Sequence, residues 1–234
     1  MTSRLILNAD DFGYDPAVSR GIAQSMRQGV VSSTTMIVNS PHSEDAARQA
    51  DGLAIGLHLN LVRFPSISEP ARELNEQDTL DADFVERETR AQLDRLEALL
   101  GRGATHLDVH KHAHLRAPVL EGLARVAKAR SLAVRSINPA MRAQLRAYGV
   151  RTNDVFLGDA GAEAYWTPAR WVEQLDLAPR EGVVELMCHP GHAPSHVSSG
   201  YGAQRELELA TFLSPSTRRA LEDRRLALSS WAGV

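Results

Sequence analysis

Short apolar runs alternate with longer stretches of helical periodicity along the chain. The short runs are Leu5 to Asn8, Thr35 to Val38, Ala54 to Leu59, Ala104 to Val109, Leu132 to Val134, Val155 to Leu157, Val183 to Cys188 and Leu226 to Leu228. Runs of this length, bounded by longer helical patterns, predict strands. Between them, Asp15-Pro16 predicts a helix start, with a capping carboxylate and a proline at the first helical position. Val18, Ile22 and Met26 carry that helix to Gly29. Thr167-Pro168 and Ser214-Pro215 repeat the start signal. Asp81 to Leu100 places Phe84, Val85, Leu93, Leu96 and Leu100 at helical spacing before Gly101.

Alternating strands and helices predict an α/β protein. No internal repeat or clear linker interrupts the pattern, so residues 1–234 read as one domain. Eight strands suggest a (β/α) barrel with irregular closure; an open doubly wound sheet is the alternative. Two stretches break the pattern, Val62 to Asp81 and His192 to Gly202. Long loops in a compact domain are often lids or binding loops.

Composition narrows the function. A formal charge of −3 gives no electrostatic footprint for nucleic acid. Arg218, Arg219, Arg224 and Arg225 are interrupted by Glu222 and Asp223, and read as the solvated face of a terminal helix. No apolar run approaches the roughly 20 residues that span a bilayer, and no stable membrane anchor is visible. The N-terminus runs directly into a strand pattern without signal-peptide features. The single cysteine, Cys188, forms no internal disulfide, and a cytoplasmic location is expected.

Four polar clusters end predicted strands, where α/β folds place their active sites. The densest is His106-Leu107-Asp108-Val109-His110-Lys111-His112-Ala113-His114. Strand alternation puts His106, Asp108 and His110 on one face and Leu107 and Val109 on the other. His112 and His114 lie beyond the strand end, and their His-Ala-His spacing resembles the paired histidines of amidohydrolase-type metal sites. Asp10 and Asp11 follow the first strand; as neighbours they point differently, so one can bind a metal while the other reaches substrate. In the second cluster His58 and Asn60 alternate with leucines. In the fourth, His189 ends a strand before Pro190-Gly191 and is a candidate general acid. Cys188 should face away from His189, which argues against a Cys-His nucleophilic pair.

Two histidines with one aspartate leave coordination positions open, as catalytic metal sites do. A metal so held lowers the pKa of bound water and polarises a carbonyl. The chemistry indicated is metal-assisted hydrolysis of an amide or ester. The alternatives are another metal-dependent hydrolase of similar fold, acting on a phosphoester or cyclic amide, and a non-enzymatic metal-binding or sugar-binding protein.

The ordered set NADDFG (8–13), GLHLNL (56–61), THLDVHKHAH (105–114) and ELMCHPGH (185–192) resembles the YdjC/ChbG family of carbohydrate deacetylases. Tyr201, Arg205, Glu206 and Leu209 extend the similarity. The resemblance implies a distorted (β/α) barrel of seven to eight strands, polysaccharide-deacetylase-like. It also implies one divalent metal ion, magnesium or zinc, and removal of the acetyl group from an N-acetylated sugar. Carried over, Asp11, His58 and His110 match the metal ligands and Asp10 the catalytic base. His189 is taken as the acid from its chemistry. His112, His114, Asn60 and Tyr201 are the expected substrate contacts, the partner is a small carbohydrate, and the oligomer implied is a homodimer. Val109 and Lys111 stand where family members commonly carry Ser and then His or Gln.

Overall fold

The computed structural model describes residues 4–158, 166–179 and 181–234. Among the described residues eight parallel strands form the sheet: β1 (Arg4–Phe12), β2 (Ser33–Met36), β3 (Ile55–Leu59), β4 (His106–Val109), β5 (Ala133–Val134), β6 (Val155–Leu157), β7 (Val183–Cys188) and β8 (Ala227–Ser229). All eight expected strands are present, in the order β5-β4-β3-β2-β1-β7-β6. β8 lies beside the start of β1, from Arg4 to Ile6, and β2 joins β1 further along, from Asn8. The helices are α1 (Pro16–Gln28), α2 (Ser43–Ala47), α3 (Ala82–Leu100), α4 (Ala117–Arg130), α5 (Pro139–Ala147), α6 (Pro168–Leu177), α7 (Gly202–Leu213) and α8 (Pro215–Asp223).

The sheet is a distorted half-barrel whose seam between β5 and β6 is closed by single contacts instead of a strand ladder. Val134 N–H donates to Arg151 O at 2.9 Å, and Ser136 N–H to Asn153 Oδ1 at 2.7 Å. Asn153 Nδ2 in turn reaches Ser136 O at 2.9 Å and Val155 O at 3.0 Å. One asparagine side chain thus stands in for a missing run of strand pairing, satisfying backbone groups that burial would otherwise leave unpaired.

Alternation along the strands separates two interiors. Leu5, Leu7, Ala9, Leu57, Leu59, Leu107, Val109, Val184, Leu186 and Cys188 face the helices and build the main core. The other face carries Asn8, Asp10, Thr35, His58, His106, Asp108 and Glu185, all buried. The barrel interior is therefore polar. At the N-terminal end of the strands it is sealed by Ile6, Ala133, Val183 and Trp231. Two glycines make the tight approaches possible. A Cβ on Gly56 would lie 2.4 Å from His106 Nδ1, so the gap admits that ring, and a Cβ on Gly21 of α1 would lie 2.5 Å from Gly191 Cα.

Sequence signals set the helix ends. Asp15 and Thr167 cap α1 and α6 as predicted, Asp81 caps α3, and Gly101 stops α3 with φ of 67°. From α3, Gln92 exchanges hydrogen bonds with the Asn60 backbone at 2.9 and 3.1 Å. Buried Glu88 accepts from Ser66 Oγ, Ile67 N, Ser68 N and Gln92 Nε2 at 2.6 to 3.0 Å. These contacts pin the irregular segment after β3 to the barrel rim, with no cation paired to Glu88 among the described residues. Among the described residues no helix is long and apolar enough to cross a membrane.

Candidate metal centre and active site

β1 does not end at Asn8 but continues through both aspartates to Phe12. Its register against β2 shifts between Ala9 and Phe12, and Asp11 has φ of 76°. Bulges re-aim side chains beside active sites. A regular strand would send Asp10 and Asp11 to opposite faces; the bulge lets both line the cavity at the C-terminal end of the strands.

Asp11 meets His58 from β3 and His110 from the 3₁₀ turn after β4. His110 Nδ1 lies 3.1 Å and His58 Nε2 3.4 Å from Asp11 Oδ1, and the two nitrogens lie 3.2 Å apart. The three can hold one metal ion. Among the described residues the two imidazole nitrogens are the polar groups nearest buried Asp11 Oδ1, and neither makes a well-formed hydrogen bond to it, so its lone pairs face the space between them. His58 Nδ1 lies 2.5 Å from Asp108 Oδ1, which fixes the tautomer and leaves Nε2 to face the other two donors. A second grouping of Asp10, His58 and Asp108 is also close enough to hold an ion. Its carboxylates are already committed, however: Asp10 to Arg135, and Asp108 to Arg135, Thr35 and His58. The first set fits a divalent ion better.

Burial alone would lower the pKa of His58, but Asp108 and Asp10 outweigh it and push it up to about 10. Burial alone would raise Asp11; Arg205 leads the charges that hold it well below the usual carboxylate range. Without an ion, a proton on His58 therefore takes the place of positive charge among these carboxylates.

Arg135, directly after β5, is the hub of the polar interior. It is fully buried. Nη1 and Nη2 hold Asp10 Oδ2 and Oδ1, each at 2.7 Å; Nη1 also lies 2.9 Å from Asp108, and Nε reaches Glu185 Oε1 at 2.8 Å. Burial raises Asp10 and Arg135 lowers it by more, so Asp10 stays ionised. Burial pushes Glu185 up to about 7 in spite of Arg135. A buried guanidinium among three carboxylates is stable only as a complete set.

His189, just past β7, completes the wall. Its backbone N–H donates to buried Glu208 Oε2 at 2.5 Å, and its ring lies 5.4 Å from that of Tyr201. Burial pushes its pKa down to about 4, against the pull of Asp11 and Asp10. The ring is therefore neutral near pH 7. Cys188 points away from it, donating to Asn8 O at 3.3 Å, as alternation required.

These groups open onto a cavity of about 460 Å³, within the range of small-ligand sites. Asp10, Asp11, His58, His110 and His189 line it, as do two of the four expected substrate contacts, His112 and Tyr201. The irregular segments contribute Arg63 from one side and Ser198, Ser199 and Gly200 from the other. The remaining two contacts fall elsewhere. Asn60 is fully buried and holds a turn, donating to Asn39 Oδ1 at 3.0 Å and accepting from Val62 N at 3.3 Å. His114 is fully buried as well, because the chain kinks at Lys111 and His112, with φ of 53° and 50°, and turns it beneath the rim. Neither side chain lines the cavity. The His-Ala-His pair, its rings edge to face 5.9 Å apart, joins neither group of possible metal ligands found among the described residues. His106 shares the inner face with Asp108 but lies deeper, stacked on Trp231 at 4.9 Å.

Sequence reasoning missed Arg135 and the contact of Arg205 Nη2 with Asp11 Oδ2 at 2.5 Å. Arg135 carried a usable signal, a charge at the end of the apolar run Leu132 to Val134. The partner of Arg205 could not be read, because the contact spans 194 residues.

The YdjC-like protein family model matches residues 4–223. The chain belongs to this family. A relative in Yersinia pestis (strain Pestoides F), named chitooligosaccharide deacetylase, is 31% identical over 255 residues, covering 99% of each chain. A solved structure from Enterococcus faecalis V583, of a protein named for cellobiose-phosphate cleavage, superposes with a TM-score of 0.88 at 28% identity, covering 100% of this chain and 99% of that one. The YdjC-like fold also resembles a family 4 acetyl xylan esterase from Clostridium thermocellum, solved with a cobalt ion. There the TM-score is 0.57 at 10% identity, over 98% of this chain and 88% of that one. That likeness concerns the fold alone.

Proposed function

We propose that this YdjC-like protein is a metal-dependent carbohydrate deacetylase. It hydrolyses the N-acetyl group of a chitooligosaccharide or related N-acetylated sugar, consuming one water and releasing acetate and the sugar amine. The observation that carries this reading is the division of labour between the adjacent aspartates: Asp11 turns an unspent oxygen to His58 and His110, while Asp10 is clamped by Arg135 at the same cavity. The naming of the Yersinia relative supports the substrate class.

Asp11, His58 and His110 would hold the divalent ion, which supplies Lewis-acid polarisation of the acetyl carbonyl and acidifies water. Asp10 takes the proton of the attacking water. Of its four acceptor sites, Asn8 Nδ2 and Arg135 Nη2 occupy two on Oδ1 and Arg135 Nη1 one on Oδ2, which leaves one on Oδ2 for that proton. Arg135 keeps Asp10 ionised and fixed, so ready to act but weakly basic; position contributes more than basicity. His189 begins neutral. As negative charge develops on the reacting carbonyl its basicity rises, so it takes up the proton that Asp10 removed from the attacking water and passes it to the departing amine nitrogen, which leaves Asp10 ionised again. Tyr201 and His112 line the sugar side of the cavity and contact substrate; Asn60 and His114 support the rim. The ion is magnesium or zinc, and the protein is a homodimer in solution.

Acetate release from diacetylchitobiose and N-acetylglucosamine tests the reading, using metal-stripped protein and protein resupplied with zinc, cobalt or magnesium. Release that needs the ion is expected. Folded, metal-loaded protein that releases no acetate from either sugar would refute this substrate class and favour the phosphoester or cyclic-amide alternative.

A further inference from the structure

Arg205 sits on α7 against a proposed metal ligand, an unusual place for a cation. It is 1% exposed. Its Nη2 holds Asp11 Oδ2 at 2.5 Å. The guanidinium carbon lies 6.0 Å from the Tyr14 ring and 5.9 Å from that of Tyr201. Its backbone carbonyl accepts from Gly191 N at 3.1 Å, which ties α7 to the turn after His189. Nε and Nη1 are buried and find no acceptor among the described residues, so Asp11 is the one carboxylate that Arg205 holds.

Two consequences follow from charge and geometry. A carboxylate can bind a cation through one oxygen or both. Here Oδ2 is committed to a charge-assisted hydrogen bond, and only Oδ1 faces His58 and His110. The ligand set also loses its net charge. Asp11 with two neutral imidazoles carries −1, and Arg205 cancels it. Ligand charge count and rigidity set cation affinity over several decades, and a fixed positive charge beside the site repels a dication.

From this arrangement we infer that Arg205 is a positioning residue for the metal site: it restricts Asp11 to ligation through one oxygen and keeps the bound divalent ion weakly held and exchangeable. The inference rests on the reading of Asp11, His58 and His110 as metal ligands.

Cobalt is the probe, because its visible absorption reports coordination number. Metal-stripped wild type, Arg205→Met and Arg205→Lys are titrated with cobalt by calorimetry and absorption. Arg205→Met should bind cobalt at least about tenfold tighter. Its visible band should weaken as Asp11 ligates through both oxygens. Arg205→Lys keeps the charge and should stay within about threefold of wild type. Unchanged or weaker affinity in Arg205→Met, with an unchanged spectrum, overturns the inference. A merely structural role would lower the melting temperature of the metal-free variant and move neither cobalt readout. Should Arg205→Met fail to fold, the cobalt-loaded wild type decides in a crystal. Asp11 bound through Oδ1 with Arg205 on Oδ2 supports the inference, and a chelating Asp11 with Arg205 displaced overturns it. Wild type that binds no cobalt, zinc, nickel, manganese or magnesium removes both this inference and the metal reading. Wild type that binds cobalt beside an unaltered Arg205→Met removes this inference alone.

Discussion

Replacing Arg135 by methionine should destabilise the metal-free protein strongly and in a pH-dependent way. The guanidinium is fully buried and contacts Asp10, Asp108 and Glu185 at 2.7 to 2.9 Å. Methionine fills much of the volume but leaves three carboxylates without their counter-charge. Removing one partner of a buried ion pair costs about 3–5 kcal/mol. In a chain of 234 residues each kcal/mol moves the melting point by about 2–4 °C, so the loss is roughly 6–20 °C. The pH dependence identifies the cause. Arg135 now holds Asp10 below its ordinary value against the opposing effect of burial. Without Arg135 burial prevails, and the folded-state pKa of Asp10 rises above its unfolded value of about 3.9. A carboxyl raised in the folded state binds protons better there, so the variant regains stability as pH falls. Glu185, already at about 7, adds to the same trend. Thermal melts of both proteins near neutral pH and at about pH 5 should show the gap narrowing on acidification. A penalty below about 1 kcal/mol, or a gap that stays constant or widens on acidification, would refute the role given to Arg135.

Further outcomes follow from the buried contacts of the barrel interior. Asp108→Asn should weaken metal binding by about 10- to 100-fold in a calorimetric titration, because it removes the carboxylate that orients His58 Nε2; unchanged affinity would contradict that orientation. His58 is pushed up to about 10, so metal uptake near neutral pH should release about one proton and tighten as pH rises, read as a dependence of binding enthalpy on buffer ionisation. In the metal-free protein that shift stabilises the fold fully below about pH 6.5, and the stability is lost as pH rises through about 10. Trp231→Ala should cost about 3–5 kcal/mol in denaturant unfolding, because Trp231 seals the base of the barrel against His106 and donates to Glu185 at 3.4 Å.

The strands were legible because each is short, apolar and bounded by turn residues, down to the two-residue β5. The inner face of β4 was legible too, since alternation alone puts Asp108 beside His110's side of the sheet. The bulge at Asp10 and Asp11 was not, because nothing in Asn8 to Gly13 marks a residue with φ of 76°. The fates of His112 and His114 were equally hidden. They are two residues apart, yet the kink at Lys111 and His112 leaves one in the cavity wall and buries the other. Asn60 alternates as a strand residue should, but β3 ends at Leu59 and its side chain turns back to the loop. The hub was the largest omission: the charge after Leu132 to Val134 marked Arg135, but its partner Asp10 lies 125 residues away, and long-range charge pairing leaves no local pattern.

In the proposed mechanism adjacent aspartates divide the work, Asp11 holding the ion with His58 and His110 and Asp10 moving the proton. The most direct measurement takes metal content and acetate release together for wild type, His110→Ala and Asp10→Asn. His110→Ala should lose both, while Asp10→Asn should keep about one ion per chain and lose turnover by a factor of about 10²–10⁴. An Asp10→Asn protein that loses its ion as His110→Ala does, or that keeps its ion and its full turnover, would contradict that mechanism.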